Sequence, residues 1–205
     1  ETRGNTDTRS FNGKFNLVHD VQPMKTALKL EALSGEENGD KSKERYFAEL
    51  KGDYTLGEYD YIASILSYED DRFSGFEYQS VLSVGYGYRI WHAKKGHFDV
   101  EVGPGYRRTS LEERNDDGDK LKEEVIGRLS LDFAANISEN AQFLETITVE
   151  SGEFGTVYRS IMGLQSTLVS TLAMKINYEV KYTDTVPEGT EEMDTIIGAT
   201  LVYGF

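Results

Sequence analysis

Hydrophobic and polar residues alternate with a period of two along most of this chain, most clearly in its last nine residues. Ile197, Ala199, Leu201, Tyr203 and Phe205 alternate there with small or polar residues. A period of two places successive side chains on opposite faces of a β-strand. A final strand that ends on an aromatic residue is typical of bacterial outer-membrane barrels. We therefore interpret Leu201, Tyr203 and Phe205 as a C-terminal assembly signal.

The same alternation recurs upstream, and counting back from Phe205 gives about eleven strands. It predicts an all-β fold, an antiparallel up-and-down transmembrane β-barrel that forms a single domain over residues 1–205. Bacterial single-chain barrels have even strand numbers, so we predict about 12 strands, with the first mostly absent from this sequence. A soluble β-sandwich would also alternate, but its outward face should be polar.

Short and long connections alternate between the predicted strands. The short ones lie near residues 19–23, 56–58, 91–97, 138–140 and 170–171. The longer or acidic ones lie near residues 4–9, 34–43, 69–75, 112–124, 152–156 and 184–194. Outer-membrane barrels have short periplasmic turns and long extracellular loops. This pattern places both termini in the periplasm and the acidic loops outside the cell.

Composition supports this interpretation and limits the chemistry. The mean hydropathy is −0.51, and no apolar run approaches the roughly 20 residues of a membrane helix. The absence of cysteine excludes thiol catalysis, disulfides and Cys-ligated metals. A net charge of −14 argues against nucleic-acid partners. We expect a monomer whose partners are outer-membrane lipid, lipopolysaccharide and, during biogenesis, the barrel-assembly machinery.

Several short motifs resemble a known family. They are GNTDTRS at residues 4–10, GYGYR at 85–89, GPGYRR at 103–108, VPEGT at 186–190 and the terminal LVYGF. Their order and spacing resemble the YdiY-like family, known as salt-induced outer-membrane proteins of uncharacterised function. The resemblance implies an outer-membrane barrel and a link to salt stress. It implies no catalytic residues.

Charged residues of both signs recur on the face predicted to line the lumen. The predicted lumen-facing residues are Lys14, Lys29, Glu31, Arg45, Glu49, Lys51, Asp53, Arg89, Asp99, Glu101, Arg107, Arg128, Asp132, Lys175, Asn177, Glu179 and Lys181. They predict either a narrow channel for small solutes or ions or a salt-bridged plug. Barrels of about eight strands are filled by side chains and those of 16–18 hold an aqueous channel, so both interpretations stay open.

A second group of charges is acidic and belongs to the predicted external loops. Its members are Glu36, Glu37, Asp40, Glu69, Asp70, Asp71, Glu112, Glu113, Asp116, Asp117, Asp119, Glu188, Glu191 and Glu192. Charge runs are usually solvated loops, and the alternative is a surface for divalent cations or for interaction partners. In a conducting barrel, such an acidic vestibule should concentrate cations.

The residues Glu113, Asn115, Asp117 and Glu124 approximate the ligand spacing of a calcium loop. Because no flanking helices are predicted, we expect a loop between strands there, and no metal or cofactor.

Catalysis is not expected. His19, His92 and His97 fall in predicted periplasmic turns, and none lies beside a serine at the outer rim. A serine nucleophile needs a base within hydrogen-bond reach. A lipid-modifying enzyme is therefore the less favoured alternative to a non-enzymatic barrel.

Overall fold

The computed structural model is a single antiparallel sheet of eleven strands in sequential order, and it describes residues 8–72, 75–112, 119–169, 172–186 and 190–203. The prediction of an all-β antiparallel barrel with about 12 strands is confirmed. The strands are β1 (Thr8–Val21), β2 (Met24–Glu37), β3 (Asp40–Thr55), β4 (Asp60–Asp71), β5 (Phe76–Ala93), β6 (Gly96–Leu111), β7 (Leu121–Asn136), β8 (Ala141–Gly152), β9 (Gly155–Val169), β10 (Leu172–Thr183) and β11 (Met193–Tyr203).

Alternation along each strand separates an apolar outer face from a polar inner face. In β3, Tyr46, Leu50 and Tyr54 are about half exposed, whereas Arg45 and Asp53 are buried. This is the reverse of a water-soluble protein, in which charged side chains are rarely buried. It suits a ring that is surrounded by lipid and encloses a polar lumen.

The ring is nearly closed. Consecutive strands pair along their lengths from β1 to β11, and the two terminal strands approach each other. A Cβ built on Gly198 of β11 would lie 3.5 Å from the side-chain Nδ2 of Asn12 in β1. Among the described residues, the backbone ladder does not continue from β11 to β1.

One predicted external loop is instead a tight hairpin. The segment 34–43 was expected to be a loop, but β2 continues to Glu37 and β3 begins at Asp40. Asn38 and Gly39 alone form the turn, with φ of 54° and 91°. Positive φ at both central residues is the geometry that Asn-Gly favours in two-residue hairpins.

Other local expectations also need correction. The three histidines were expected in turns, yet His19 lies in β1, His92 in β5 and His97 in β6, each near a strand end. The strands continue to the edges of the short turns, so polar residues near a turn still belong to the ladder.

Glycine is required where an aromatic ring fills the lumen. Tyr61 in β4 is buried and pairs with Gly87 in β5, and its ring covers the position that a Cβ of Gly87 would occupy. The Arg89 guanidinium lies 5.1 Å from the centre of the same ring. The absence of a side chain at position 87 therefore positions Tyr61 inside the barrel.

We expect Gly87→Val to lower the stability of the folded barrel by about 1–3 kcal/mol, because the new side chain must displace the buried Tyr61 ring. The measurement is thermal unfolding of refolded protein in detergent, followed by heat-modifiable gel mobility. Gly127→Val is the matched control, since Gly127 lies on the outer face with nothing within 4 Å of an added Cβ. Equal stability losses in the two variants would contradict the assignment.

Candidate functional site: the charged lumen

The charged residues of the inner face form clusters that join distant strands. The first is centred on Glu69 of β4, which is 7% exposed. Arg45 Nε lies 2.8 Å from Glu69 Oε1, and Arg159 Nη2 lies 2.7 Å from Oε2. Lys181 Nζ lies 3.2 Å from Oε1. One carboxylate is thus compensated by three cations from β3, β9 and β10.

The position of Glu69 corrects the sequence prediction, which assigned it to an acidic external loop with Asp70 and Asp71. All three residues belong to β4, which ends at Asp71. Three consecutive acidic residues indicated a loop, but the alternation of the strand continues through them. Every second residue of β4 faces the lumen, and Glu69 is in phase with the buried Ile65.

Glu179 extends this cluster toward β1. Its Oε1 lies 3.3 Å from Arg45 Nη1 and 3.7 Å from Arg159 Nη1, and its Oε2 lies 3.8 Å from Lys14 Nζ. We call Arg45, Glu69, Arg159, Glu179 and Lys181 the ion-pair hub. Because its members come from β3, β4, β9 and β10, the hub crosses the lumen.

An aromatic ring lies beside the hub. The ring centre of Phe47 is 5.7 Å from Arg45 Cζ, 5.5 Å from Arg159 Cζ and 5.0 Å from Lys29 Nζ. A cation near an aromatic face is attracted to it electrostatically. The sequence prediction missed Phe47 and Arg159. Arg159 could have been found from its phase, because it alternates with the outward Tyr158.

A second cluster surrounds Glu101 of β6. Its carboxylate contacts the Lys51 ammonium and accepts a 2.8 Å hydrogen bond from the Tyr61 hydroxyl. Arg128 Nη1 lies 3.8 Å from Glu101, and Arg128 Nε donates to Glu150 at 3.1 Å. Lys51 also lies 3.6 Å from Asp53. The cluster joins the walls formed by β3, β4 and β6–β8.

Three lysines, Lys14, Lys29 and Lys175, line one side of the lumen. We call them the lysine wall. Lys14 and Lys29 share Glu31, at 3.2 and 3.0 Å. Lys175 of β10 also lines the lumen, and no carboxylate of the described residues lies within 4 Å of its ammonium group. Glu49, which also lines the cavity, likewise has no ion pair within the described ranges.

Histidines and aspartates meet near the turn between β5 and β6. His97 Nε2 lies 2.5 Å from Asp132 Oδ1, and His92 Nε2 lies 3.5 Å from Asp99 Oδ1. Thr146 also donates to Asp132 at 2.9 Å. Within the part of the chain that the structure describes, no three His, Asp or Glu side chains are arranged to hold a metal ion.

The weak calcium-loop candidate does not form around Glu124. This residue lies in β7, where its Oε1 pairs with Arg107 at 2.6–2.7 Å and its Oε2 accepts the backbone N–H of Phe154. Both carboxylate oxygens are therefore occupied within the protein. Glu113, Asn115 and Asp117 lie outside the described residues.

One acidic connection is tied to its neighbour by a specific hydrogen bond. The backbone N–H of Thr156 donates to Asp184 Oδ1 at 2.7 Å. This bond lowers the pKa of the exposed Asp184 carboxyl below its usual value. It links the start of β9 to the connection between β10 and β11, at one end of the barrel.

The clusters leave space between them. A cavity of about 700 Å³ lies inside the ring, and all eleven strands contribute to its lining. Charged or polar lining residues include Lys14, Lys29, Glu49, Lys51, Glu69, Glu101, Arg128, Asp132, Thr148, Arg159, Lys175 and Asn177. The cavity therefore lies inside the ring, and its lining also includes the exposed side chains of Phe15 and Leu201 from the two terminal strands.

Comparison with known proteins places the chain in a family. Residues 1–205 match the family model described as a protein of unknown function, DUF481. The chain belongs to this family. It is also 25% identical to the uncharacterised protein YdiY of Escherichia coli (strain K12) over 189 residues, covering 92% of this chain and 73% of YdiY. The resemblance to a YdiY-like family is therefore confirmed.

A solved structure shares the fold of this DUF481 protein. It is a crystal structure of the NanC porin, which aligns with a TM-score of 0.59 over 98% of this chain and 97% of NanC. The sequence identity is 13%, so this likeness shows the fold alone. A porin-like barrel is consistent with an outer-membrane location.

Removing the central carboxylate should destabilise the barrel. Glu69→Gln leaves Arg45, Arg159 and Lys181 with one negative charge fewer, and breaking a buried ion pair costs about 3–5 kcal/mol. We expect a lower unfolding temperature, measured by circular dichroism in detergent. Glu77→Gln removes an exposed carboxylate that pairs with Lys120 at 2.6 Å, and should change little. Similar unfolding temperatures for both variants would show that the hub is not a stabilising unit.

Proposed function

We propose that this protein is a narrow outer-membrane channel for small polar solutes or ions. The observation that carries the proposal is the internal cavity of about 700 Å³, to which all eleven strands contribute. A lumen packed solid with side chains would leave no such space. The apolar outer face supports insertion in a bilayer.

The chemistry of the lining also favours a solvated path over a plug. Burying ion pairs gains little stability over apolar packing, because desolvation offsets their attraction. A purely structural interior could therefore be filled with aliphatic residues. Charged walls around open space instead provide groups that hydrate and bind a passing polar solute.

The proposal also includes the orientation of the protein in the outer membrane and its partners there. The acidic loops would face the exterior and both termini the periplasm, because the two longest connections, between β6 and β7 and between β10 and β11, lie at the same end of the ring. The protein would act as a monomer in outer-membrane lipid and lipopolysaccharide after insertion by the assembly machinery. It would act without catalysis or a cofactor. A salt-stress role is consistent with its resemblance to the YdiY-like family.

Planar-bilayer recording of the refolded protein tests the proposal. We expect reproducible single-channel steps from protein whose folding is verified by heat-modifiable gel mobility. Conductance that stays at the level of a bare bilayer, with folded protein inserted, would exclude a channel. The lumen would then be a plug.

The hub should form the constriction of this channel. Arg159→Ala removes a guanidinium that reaches Glu69 and Glu179 from β9. Glu69 keeps Arg45 and Lys181, so the barrel should still fold. We expect a larger single-channel conductance, because the removed side chain occupies the lumen.

Arg108→Ala provides the control for this variant. Arg108 is about half exposed and lies 3.6 Å from Glu123, outside the lumen. Its conductance should equal that of the unmodified protein. An unchanged conductance in Arg159→Ala as well would place the constriction elsewhere.

A further inference from the structure

One wall of the lumen carries a concentration of positive charge. Lys14 on β1, Lys29 on β2 and Lys175 on β10 all line the cavity. Two carboxylates on this side of the lumen are already engaged. Glu31 is shared by Lys14 and Lys29, and Glu179 is taken up mainly by Arg45 and Arg159. The Lys175 ammonium group lines the cavity without an ion pair to any described carboxylate.

The ion pairs of this side of the lumen leave Lys175 out. Among the described residues, no carboxylate lies within 4 Å of its ammonium group, and Lys14 and Lys29 share Glu31. Glu49 lines the same cavity and has no ion pair within the described ranges. Three ammonium groups around one shared carboxylate attract an anion from the solvent.

Uncharged donors adjoin the lysines. Asn177 is buried two residues along β10 from Lys175, and Thr200 is the cross-strand partner of Lys175 in β11. Both line the same cavity. An amide and a hydroxyl can donate hydrogen bonds to an oxyanion, and ammonium groups donate stronger, charge-assisted ones.

The backbone opposite gives the Lys175 side chain its room. Gly163 of β9 lies beneath it, and a Cβ built there would lie 2.7 Å from Lys175 Cε. Any larger residue at position 163 would push the ammonium group away from its place. The sequence thus combines an unpaired lysine with the glycine that accommodates it.

We propose that Lys14, Lys29 and Lys175, with Asn177 and Thr200, form a binding site for small carboxylate anions inside the lumen. This site rests on the proposed channel and defines its preferred solutes. Anions bind reversibly to the lysine wall from the water in the lumen. The acidic loops alone would favour cations, whereas the three lysines favour anions. The two groups of charges therefore shift the ion selectivity in opposite directions.

Citrate is the probe for this site, and Lys175→Gln is the principal variant. In bilayers at constant ionic strength, citrate should reduce the chloride current of the unmodified protein. Lys175→Gln should weaken that block by about tenfold, the change expected from losing one charge-assisted contact. It should also shift the reversal potential in a KCl gradient toward cations.

Two further variants separate charge from position. Lys94→Gln removes the same charge from an exposed turn and should leave block and selectivity unchanged. Gly163→Ala keeps the charge of Lys175 but displaces its ammonium group, and should weaken the block by less than Lys175→Gln does. Equal behaviour of Lys175→Gln and the unmodified protein would overturn the site while leaving the channel intact. Absence of any citrate block in the unmodified, conducting protein would overturn it as well.

Calorimetry of the folded protein in detergent decides the question if no current is observed. Citrate binding that is lost in Lys175→Gln and retained in Lys94→Gln would support the site although the channel had failed. Absence of citrate heat in the unmodified protein would overturn the site directly.

Discussion

Compensation of charge across the lumen is the constraint on which the rest of this barrel depends. Each strand must direct alternate side chains inward, and the sequence places Arg, Lys, Glu and Asp at many of those positions. A buried charge without a partner costs several kcal/mol. Most inward charges are therefore paired, chiefly with residues of other strands. Glu69 shows the result, because cations from three strands converge on one carboxylate. Contacts of this kind fix the relative positions of strands that share no backbone hydrogen bonds.

The fold could be predicted from the sequence because apolar and polar residues alternate with a period of two in nearly every strand. Short turns and aromatic positions supported the same interpretation. The ion-pair hub was harder to predict, because the sequence around its individual residues was misleading. Glu69 lies in an acidic run whose composition resembles a loop, and Arg159 lies in β9, where the outward serines obscured the phase. Phe47 is an apolar residue on a polar face, and only its three neighbouring cations explain it.

Pairings within the lumen could not be predicted at all. Alternation tells which residues face inward, but the tilt and stagger of the strands decide which of them meet. Arg45 and Glu179 are 134 residues apart in sequence and 3.3 Å apart in space. The candidate site depends on such distances, since the same inward residues with another stagger could leave a different lysine unpaired.

The contrast between the ion-pair hub and the lysine wall separates charges that pair with one another from those that we propose bind a solute. The charges of the hub are paired with one another, as a structural role requires. Lys175 instead lines the cavity together with two other lysines, and no carboxylate of the described residues lies within 4 Å of its ammonium group. A sequence selected for stability alone would replace it with an uncharged residue. Its ammonium group is therefore best explained by a ligand that arrives from the solvent, and a lumen with open volume beside it is the place where such a ligand can bind and leave.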